Sequence, residues 1–148
     1  MKKLALLTVL ISGLAAHTIA QTQYKVVTAV ESIIPMGLGR SRMIENKTGL
    51  NVNDFTTERV DGNDSKQGDV DRDDLKVNQF AETKLLNLFS GVGINFQNIA
   101  SNDALVSSKL NQLTAEGWTL AFVTSGVESY AGKDDKGGIF ITRYVFKK

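Results

Sequence analysis

Residues 103–125, which read DALVSSKLNQLTAEGWTLAFVTS, decide the fold of this 148-residue chain. Val106, Leu110 and Leu113 recur at i, i+4 and i+7, which is the spacing of one apolar stripe along a helix. The sequence therefore predicts an amphipathic helix over about residues 103–116.

The two ends of this helix carry capping signals. Asn102 or Asp103 is expected to cap the first turn, because a short polar side chain there accepts hydrogen bonds from free backbone N–H groups. Gly117 is expected to end the helix, because glycine readily adopts the left-handed conformation of a C-terminal cap.

Two strands are predicted after the helix, over residues 118–125 and 139–146, with a polar, glycine-rich hairpin loop over 132–138 between them. The large apolar side chains of the first of these strands alternate, so they are expected to share one face: Trp118, Leu120 and Phe122.

Upstream, residues 24–34 are rich in β-branched side chains and predict a strand, which Pro35 ends. Residues 40–45 predict a short extended segment. Residues 80–92 fit a helix or a strand, and residues 94–99 are read as an apolar linker.

Residues 46–74 are polar, and from Asp61 to Asp74 they hold six Asp and a single Val. Such a segment buries too little apolar surface to fold by itself, so we expect a mobile surface insertion within one domain. The predicted order of elements is strand, insertion, helix, strand, strand. This order predicts an α+β fold, in which one amphipathic helix packs on one face of a small antiparallel sheet, with the insertion as a long irregular segment.

Residues 110–120 fit the pattern Leu-Asn-x-Leu-x-x-x-Gly-Trp-x-Leu, and a strand hairpin follows it to the end of the chain. With the Tyr-Lys-Val-Val of residues 24–27, this resembles a family of small bacterial βαββ domains of unknown function. The resemblance covers about fifty residues and implies a fold without an activity. Residues 35–101 depart from the family, whose connection there is shorter.

The first twenty residues have the three parts of a secretory signal: a basic N-terminal region, an apolar run over residues 4–14, and small residues before a signal-peptidase cleavage site. We expect cleavage between Ala20 and Gln21, and one domain over residues 21–148 in the periplasm or the exterior. A retained anchor is the alternative, although about eleven apolar residues are too few to span a bilayer.

Removal of the signal would also change which reactive side chains the chain contains. The chain has no Cys, and its one His, His17, lies in the signal. The mature chain would thus lack imidazole and thiol catalysis, disulfides and ordinary zinc or copper ligands. Its formal charge of −1, from fifteen basic and sixteen acidic residues, favours neither nucleic acid nor an anionic membrane. We expect no cofactor and no membrane span.

Three arginines form the candidate ligand site. Arg40 and Arg42 follow Gly37 and Gly39 in a loop that offers backbone amides and forked donors to an anion. Structural ion pairing is favoured over ligand binding for this loop, which is nevertheless the best candidate site in the chain. Arg143 lies among apolar neighbours on its strand, where a charge usually has a partner, and Glu31 is one candidate. An arginine that lines a pocket is the alternative.

Asp69, Asp71 and Asp73 alternate like the acids of a calcium loop, but Asp74 and Phe80 occupy the positions where that motif needs Gly and Glu. A solvated acidic loop is favoured, with weak calcium binding as the alternative. We expect no other metal site.

These observations leave three functional hypotheses in order. The first is a non-enzymatic exported module that binds a protein partner in the cell envelope or the exterior. The second is a small-ligand or anion binder that uses Arg40, Arg42 and Arg143. The third is an enzyme based on carboxylates or Lys.

Overall fold

A computed structural model of the protein describes residues 21–34, 41–127 and 138–148. Within them, a five-stranded antiparallel sheet carries one α-helix on one face, so the predicted α+β class is confirmed. The elements are β1 (Tyr24–Ser32), β2 (Arg42–Asn46), β3 (Phe80–Lys84), β4 (Phe89–Ser90), β5 (Gly93–Ile94), α1 (Phe96–Ala115), β6 (Thr119–Val127) and β7 (Ile139–Lys147).

Strand β1 lies at the centre of the sheet, whose order is β3-β2-β1-β7-β6. It pairs with β7 over its whole length, from Tyr24 opposite Lys147 to Ser32 opposite Ile139. On its other side it pairs with β2, and β4 and β5 form a separate two-stranded ribbon.

The core lies between the sheet and α1. Because side chains alternate along a strand, the registers place Val27, Ala29, Met43 and Phe146 on the same face, and Leu113 of the helix packs on them. Leu113 and Phe146 have no exposed surface. Of the predicted apolar stripe, Leu113 is buried and Leu110 packs against the core, whereas Leu105, predicted beside the stripe, is 38% exposed.

The predicted end of the helix is confirmed as well. Gly117 has a φ of +87°. Its N–H donates to the carbonyl of Thr114, and the N–H of Trp118 donates to the carbonyl of Leu113. These two bonds form a Schellman cap, which turns the chain sharply into β6.

The predicted start of the helix is wrong. The helix begins at Phe96, so residues 96–99 are helical and not a linker. Asn95 caps it by accepting from the N–H of Asn98. Asn102 lies inside the helix, 1% exposed, where it serves a tertiary contact instead of a cap.

The predicted common face of Trp118, Leu120 and Phe122 is also wrong. Leu120 lies opposite Phe146 but Phe122 lies opposite Val145, because the register shifts between Leu120 and Phe122. This bulge moves Phe122 to the sheet face away from α1.

Residues 80–92, which fit a helix or a strand, form β3, a loop, β4 and the start of the turn to β5. The predicted short strand at 40–45 is present as β2. Residues 47–79 connect β2 to β3 and contain two short 3-10 helices, Val52–Phe55 and Lys66–Asp69. The mobility of residues 46–74 and the division of the chain into signal and single domain remain predictions.

The signal over 1–20, the loop with Gly37, Gly39 and Arg40, and most of the predicted loop over 132–138 lie outside the described residues.

Asn102 joins the helix to the sheet side of the molecule. Its Oδ1 accepts from the N–H of Leu86 at 2.8 Å, and its Nδ2 donates to the carbonyl of Leu86 and to Oε1 of Glu31, both at 2.8 Å. The side chain therefore satisfies both backbone groups of an irregular residue that no strand pairs.

We expect Asn102→Ala to lower the free energy of unfolding by about 2–4 kcal/mol, because it leaves the backbone groups of Leu86 without their partners. Ser107→Ala, on the exposed side of the same helix, should change it by less than about 0.5 kcal/mol. Urea denaturation followed by circular dichroism measures both. Equal stability of the two variants would contradict this role of Asn102.

Candidate interaction surface and cationic cleft

The sheet face that points away from α1 is called the open face below. The strand registers assign its side chains, and several large apolar ones are exposed to solvent, including Tyr24 at 68%, Phe122 at 56%, and Val26 and Phe80 at 44% each. The strand registers place these residues on the open face: Tyr24, Val26, Thr28, Val30, Ser32, Arg42, Ile44, Asn46, Phe80, Glu82, Lys84, Thr119, Phe122, Thr124, Ile139, Ile141, Arg143, Val145 and Lys147. It is therefore a mixed surface, in which an apolar row through Val26, Val145 and Phe122 is bordered by polar and charged side chains.

Arg42 lies on the open face at one side of the sheet. Its Nη1 is 2.7 Å from Oε1 of Glu82 on the neighbouring strand. Among the described residues, Ser41 and Lys84 also line a cavity of about 350 Å³ beside this pair. The structural ion pair considered for Arg42 is thus present.

Arg143 lies on the same face but in a different place. It is exposed and stands opposite Thr28 of β1 and Thr124 of β6. The candidate partner Glu31 does not pair with Arg143, because Glu31 lies on the helix face, where its carboxylate accepts from Asn102.

The structure brings Arg42 and Arg143 to one face without joining them in one pocket. Strand β1 lies between their strands, so their backbones are separated by about 10 Å across the sheet, as two strand spacings require. Arg40, the third predicted residue of this site, lies outside the described residues.

The acidic residues of the insertion are engaged locally. Oδ1 of Asp71 accepts from the N–H of Asp73, and Asp73 pairs with Lys76. Among the described residues, no three His, Cys, Asp or Glu side chains are grouped as a metal site would require. The alternating acids at Asp69, Asp71 and Asp73 therefore do not converge on a common point.

A second site lies on the helix side, around Glu45 of β2. This carboxylate is buried, 5% exposed, and three ammonium groups surround it. Lys25 and Lys109 lie at 3.0 Å, one on each carboxylate oxygen, and Lys47 lies at 3.6 Å. One carboxylate cannot neutralise three ammonium groups, so the cluster has a formal charge of +2.

Burial alone would raise the pKa of Glu45. Hydrogen bonds from Lys25 and Lys109, together with the charges of these two lysines, outweigh burial and lower the pKa from 4.5 to about 2. Glu45 is therefore ionised throughout the neutral range, and it holds the lysines in fixed positions.

An aromatic ring extends this cluster into a cleft, called the cationic cleft below. The ammonium of Lys25 lies 5.0 Å from the ring centre of Trp118, and that of Lys148 lies 5.9 Å from it, which is the range of cation–π attraction. A cavity of about 390 Å³ opens here, and its lining includes Tyr24, Lys25, Lys47 and Trp118.

Sequence reasoning missed the cationic cleft. One signal could have found it: Glu45 shares the alternation of Met43, so in a half-buried strand it must point to the core and needs a charged partner. The identity of the partners could not be found, because Lys25, Lys47 and Lys109 are distant in sequence.

In comparisons with known proteins, no family model, no curated protein and no solved structure matches this chain. The resemblance to small βαββ domains stays a prediction. Among the described residues, no helix combines the length and the apolar character that crossing a membrane requires.

The lowered pKa of Glu45 predicts how stability depends on pH. Since the folded carboxyl titrates near pH 2 and the unfolded one near 4.5, the ionised form stabilises the fold above about pH 5. This contribution, about 2–3 kcal/mol, is lost as the pH falls from 5 to 2. Urea denaturation at a series of pH values measures it.

Glu45→Gln should be less stable than the natural protein at pH 7, and its stability should fall less steeply between pH 5 and 2. Glu82→Gln removes an exposed ion pair and should cost at most about 1 kcal/mol. If the pH profile of Glu45→Gln kept the natural slope, the assignment of this acid transition to Glu45 would be wrong.

Proposed function

We propose that the protein is an exported, non-enzymatic module that binds a protein partner in the cell envelope or the exterior through its open face. The observation that carries the proposal is the exposure of Tyr24, Val26, Phe80 and Phe122 on one side of a regular sheet. Large apolar side chains that are exposed together on one sheet face support an interaction site.

The chemistry of the open face suits a protein partner better than a small molecule. The surface is wide and follows the sheet, whereas ligand pockets are concave and enclose most of their ligand. Apolar side chains at its centre and the charges of Arg42, Glu82 and Arg143 among them match the composition of protein interfaces.

The sequence supports the non-enzymatic part of the proposal. After the predicted cleavage at Ala20 the chain would contain neither His nor Cys. The remaining titratable residues could support carboxylate or Lys chemistry. Among the described residues, however, the one strongly perturbed carboxylate, Glu45, is held by lysines in the core and serves the fold.

The test is a crosslinked affinity capture of the tagged protein from its own cell envelope and culture medium. We expect one stoichiometric protein partner. Val26→Lys places a charge beside Val145 and Phe122 in the apolar row of the open face and should abolish the capture, because an unpaired ammonium buried in an apolar interface is costly.

Val92→Lys is the matched control, since Val92 is 99% exposed and lies at the turn of the β4–β5 ribbon. It should capture the partner like the natural protein. Recovery of the protein without any partner would contradict the proposal, and retention of the partner by Val26→Lys would exclude the open face as the binding surface.

A second candidate function, the binding of a small organic or inorganic anion, is favoured by the cationic cleft. There three lysines share one buried carboxylate beside Trp118 and an open cavity. The excess positive charge would attract an anion, and the fixed ammonium of Lys25 would need little reordering to bind it.

For this function, inorganic phosphate should raise the melting temperature of the protein, and Lys47→Ala should remove the rise while leaving the fold intact. Lys47 suits this test because its side chain is 54% exposed. Arg40→Ala and Arg42→Ala are the controls and should keep the rise. Loss of the rise in these two variants would place the anion at the arginines instead.

A further inference from the structure

Strand β6 forms one edge of the sheet. Among the described residues it pairs only with β7, and all nine of its residues are exposed. Every second residue of such a strand directs its N–H and C=O away from the sheet, so β6 offers a row of hydrogen-bonding groups that another strand can join.

The composition of β6 does not oppose such pairing. Natural edge strands are usually short or carry charges and proline, which discourage association. β6 reads TLAFVTSGV and has neither a charge nor a proline. The opposite edge, β3, has five residues that include Glu82 and Lys84, and so it is protected in the usual way.

One protective feature does occur in β6, the bulge between Leu120 and Phe122. It lies near the start of the strand. Residues 122–127 beyond it keep a continuous register with β7, which leaves six regular residues available at the free edge.

Uncovered apolar side chains line this edge on the helix side of the sheet. Val123 is 49% exposed and Val127 58%, and both point to the side of α1 without being covered by it. Phe140 and Leu105, at 39% and 38%, extend the strip toward the helix. A single strand of another protein that paired with β6 would leave this apolar strip exposed to solvent. A second folded domain that paired with β6 would cover it.

We infer that a second copy of this chain pairs with β6 in antiparallel fashion, so that two five-stranded sheets form one ten-stranded sheet. A two-fold axis near the middle of residues 122–127 brings each apolar strip against its equivalent. Because β6 is uncharged, no like charges meet along the strands. Pairing of β6 with β3 of another copy would instead build an open filament.

This inference does not depend on the proposed partner, since it uses a different surface. It has a consequence for that surface, because the open faces of the two copies become continuous across the axis. A dimer would thus present the partner-binding surface twice, side by side, and gain affinity for a repeated or extended partner.

The first test measures the oligomeric state of the purified exported protein by sedimentation velocity. Protein concentrations up to about 1 mM populate even a dimer whose Kd is about 1 mM. We expect a dimer. Val123→Lys should raise its Kd by about 100-fold or more, because it places a charge in the apolar strip of each copy, and the two like charges lie near each other across the axis.

Val26→Lys, an equally exposed valine on the open face, should leave the dimer unchanged. The same two variants separate this inference from the proposed function. Val26→Lys should lose the partner and keep the dimer, and Val123→Lys should lose the dimer and still capture the partner.

The second test does not require a variant that weakens the strand. The chain contains no Cys, so single cysteines at each of residues 122–127 report which position meets its equivalent. Facing positions of an antiparallel pair bring their Cβ atoms to about 4.5–5.5 Å, close enough for a disulfide after small adjustments. Mild oxidation should yield a covalent dimer mainly at one position, the residue on the two-fold axis, and not at Val26→Cys.

Several outcomes would overturn the inference: a monomer at all concentrations, a dimer that Val26→Lys abolishes and Val123→Lys keeps, or filaments instead of a closed dimer. Amide hydrogen exchange would show whether an extended segment of another protein occupies β6 instead. In that case, residues 122–127 would become protected only when that protein is added.

Discussion

The pairing of β1 with β7 is the constraint on which the rest of the structure depends. It joins residues near the start of the described chain to its last residues in one unbroken nine-residue register. On the outer sides of this pair, β2 pairs with β1 and β6 pairs with β7. Such a contact closes a loop of more than a hundred residues, which is an entropic cost that the apolar core must offset.

Buried polar groups set how the helix sits on this sheet. Asn102 holds the helix to Leu86 and Glu31, and Glu45 binds Lys109 of the helix and Lys25 of β1. Among the described residues, no buried side-chain nitrogen or oxygen lacks a hydrogen-bond partner. Apolar contacts alone tolerate sliding, whereas these hydrogen bonds form in only one arrangement.

The two faces of the sheet differ in how much of their surface is covered. The helix face contains the small core and the ionised cluster around Glu45, and it ends at the cationic cleft. The open face keeps apolar side chains in contact with solvent, and for this reason it is the surface of the proposed interaction. The uncharged edge at β6 adds a place where the sheet can grow.

The sequence by itself determined the α+β class, the apolar stripe of α1, the glycine that ends it, and the two long strands at the ends of the described chain. These features depend on local periodicity and on the conformational freedom of Gly117, which neighbouring residues are enough to reveal. Only the tertiary structure decided the start of the helix, the bulge that turns Phe122 outward, and the grouping of Lys25, Lys47 and Lys109 on Glu45. Asn102 illustrates the physical reason. Its local preference is to cap a helix, but in the folded protein it lies inside the helix and hydrogen-bonds the N–H and C=O of Leu86. These two groups come near Asn102 only once the chain has folded.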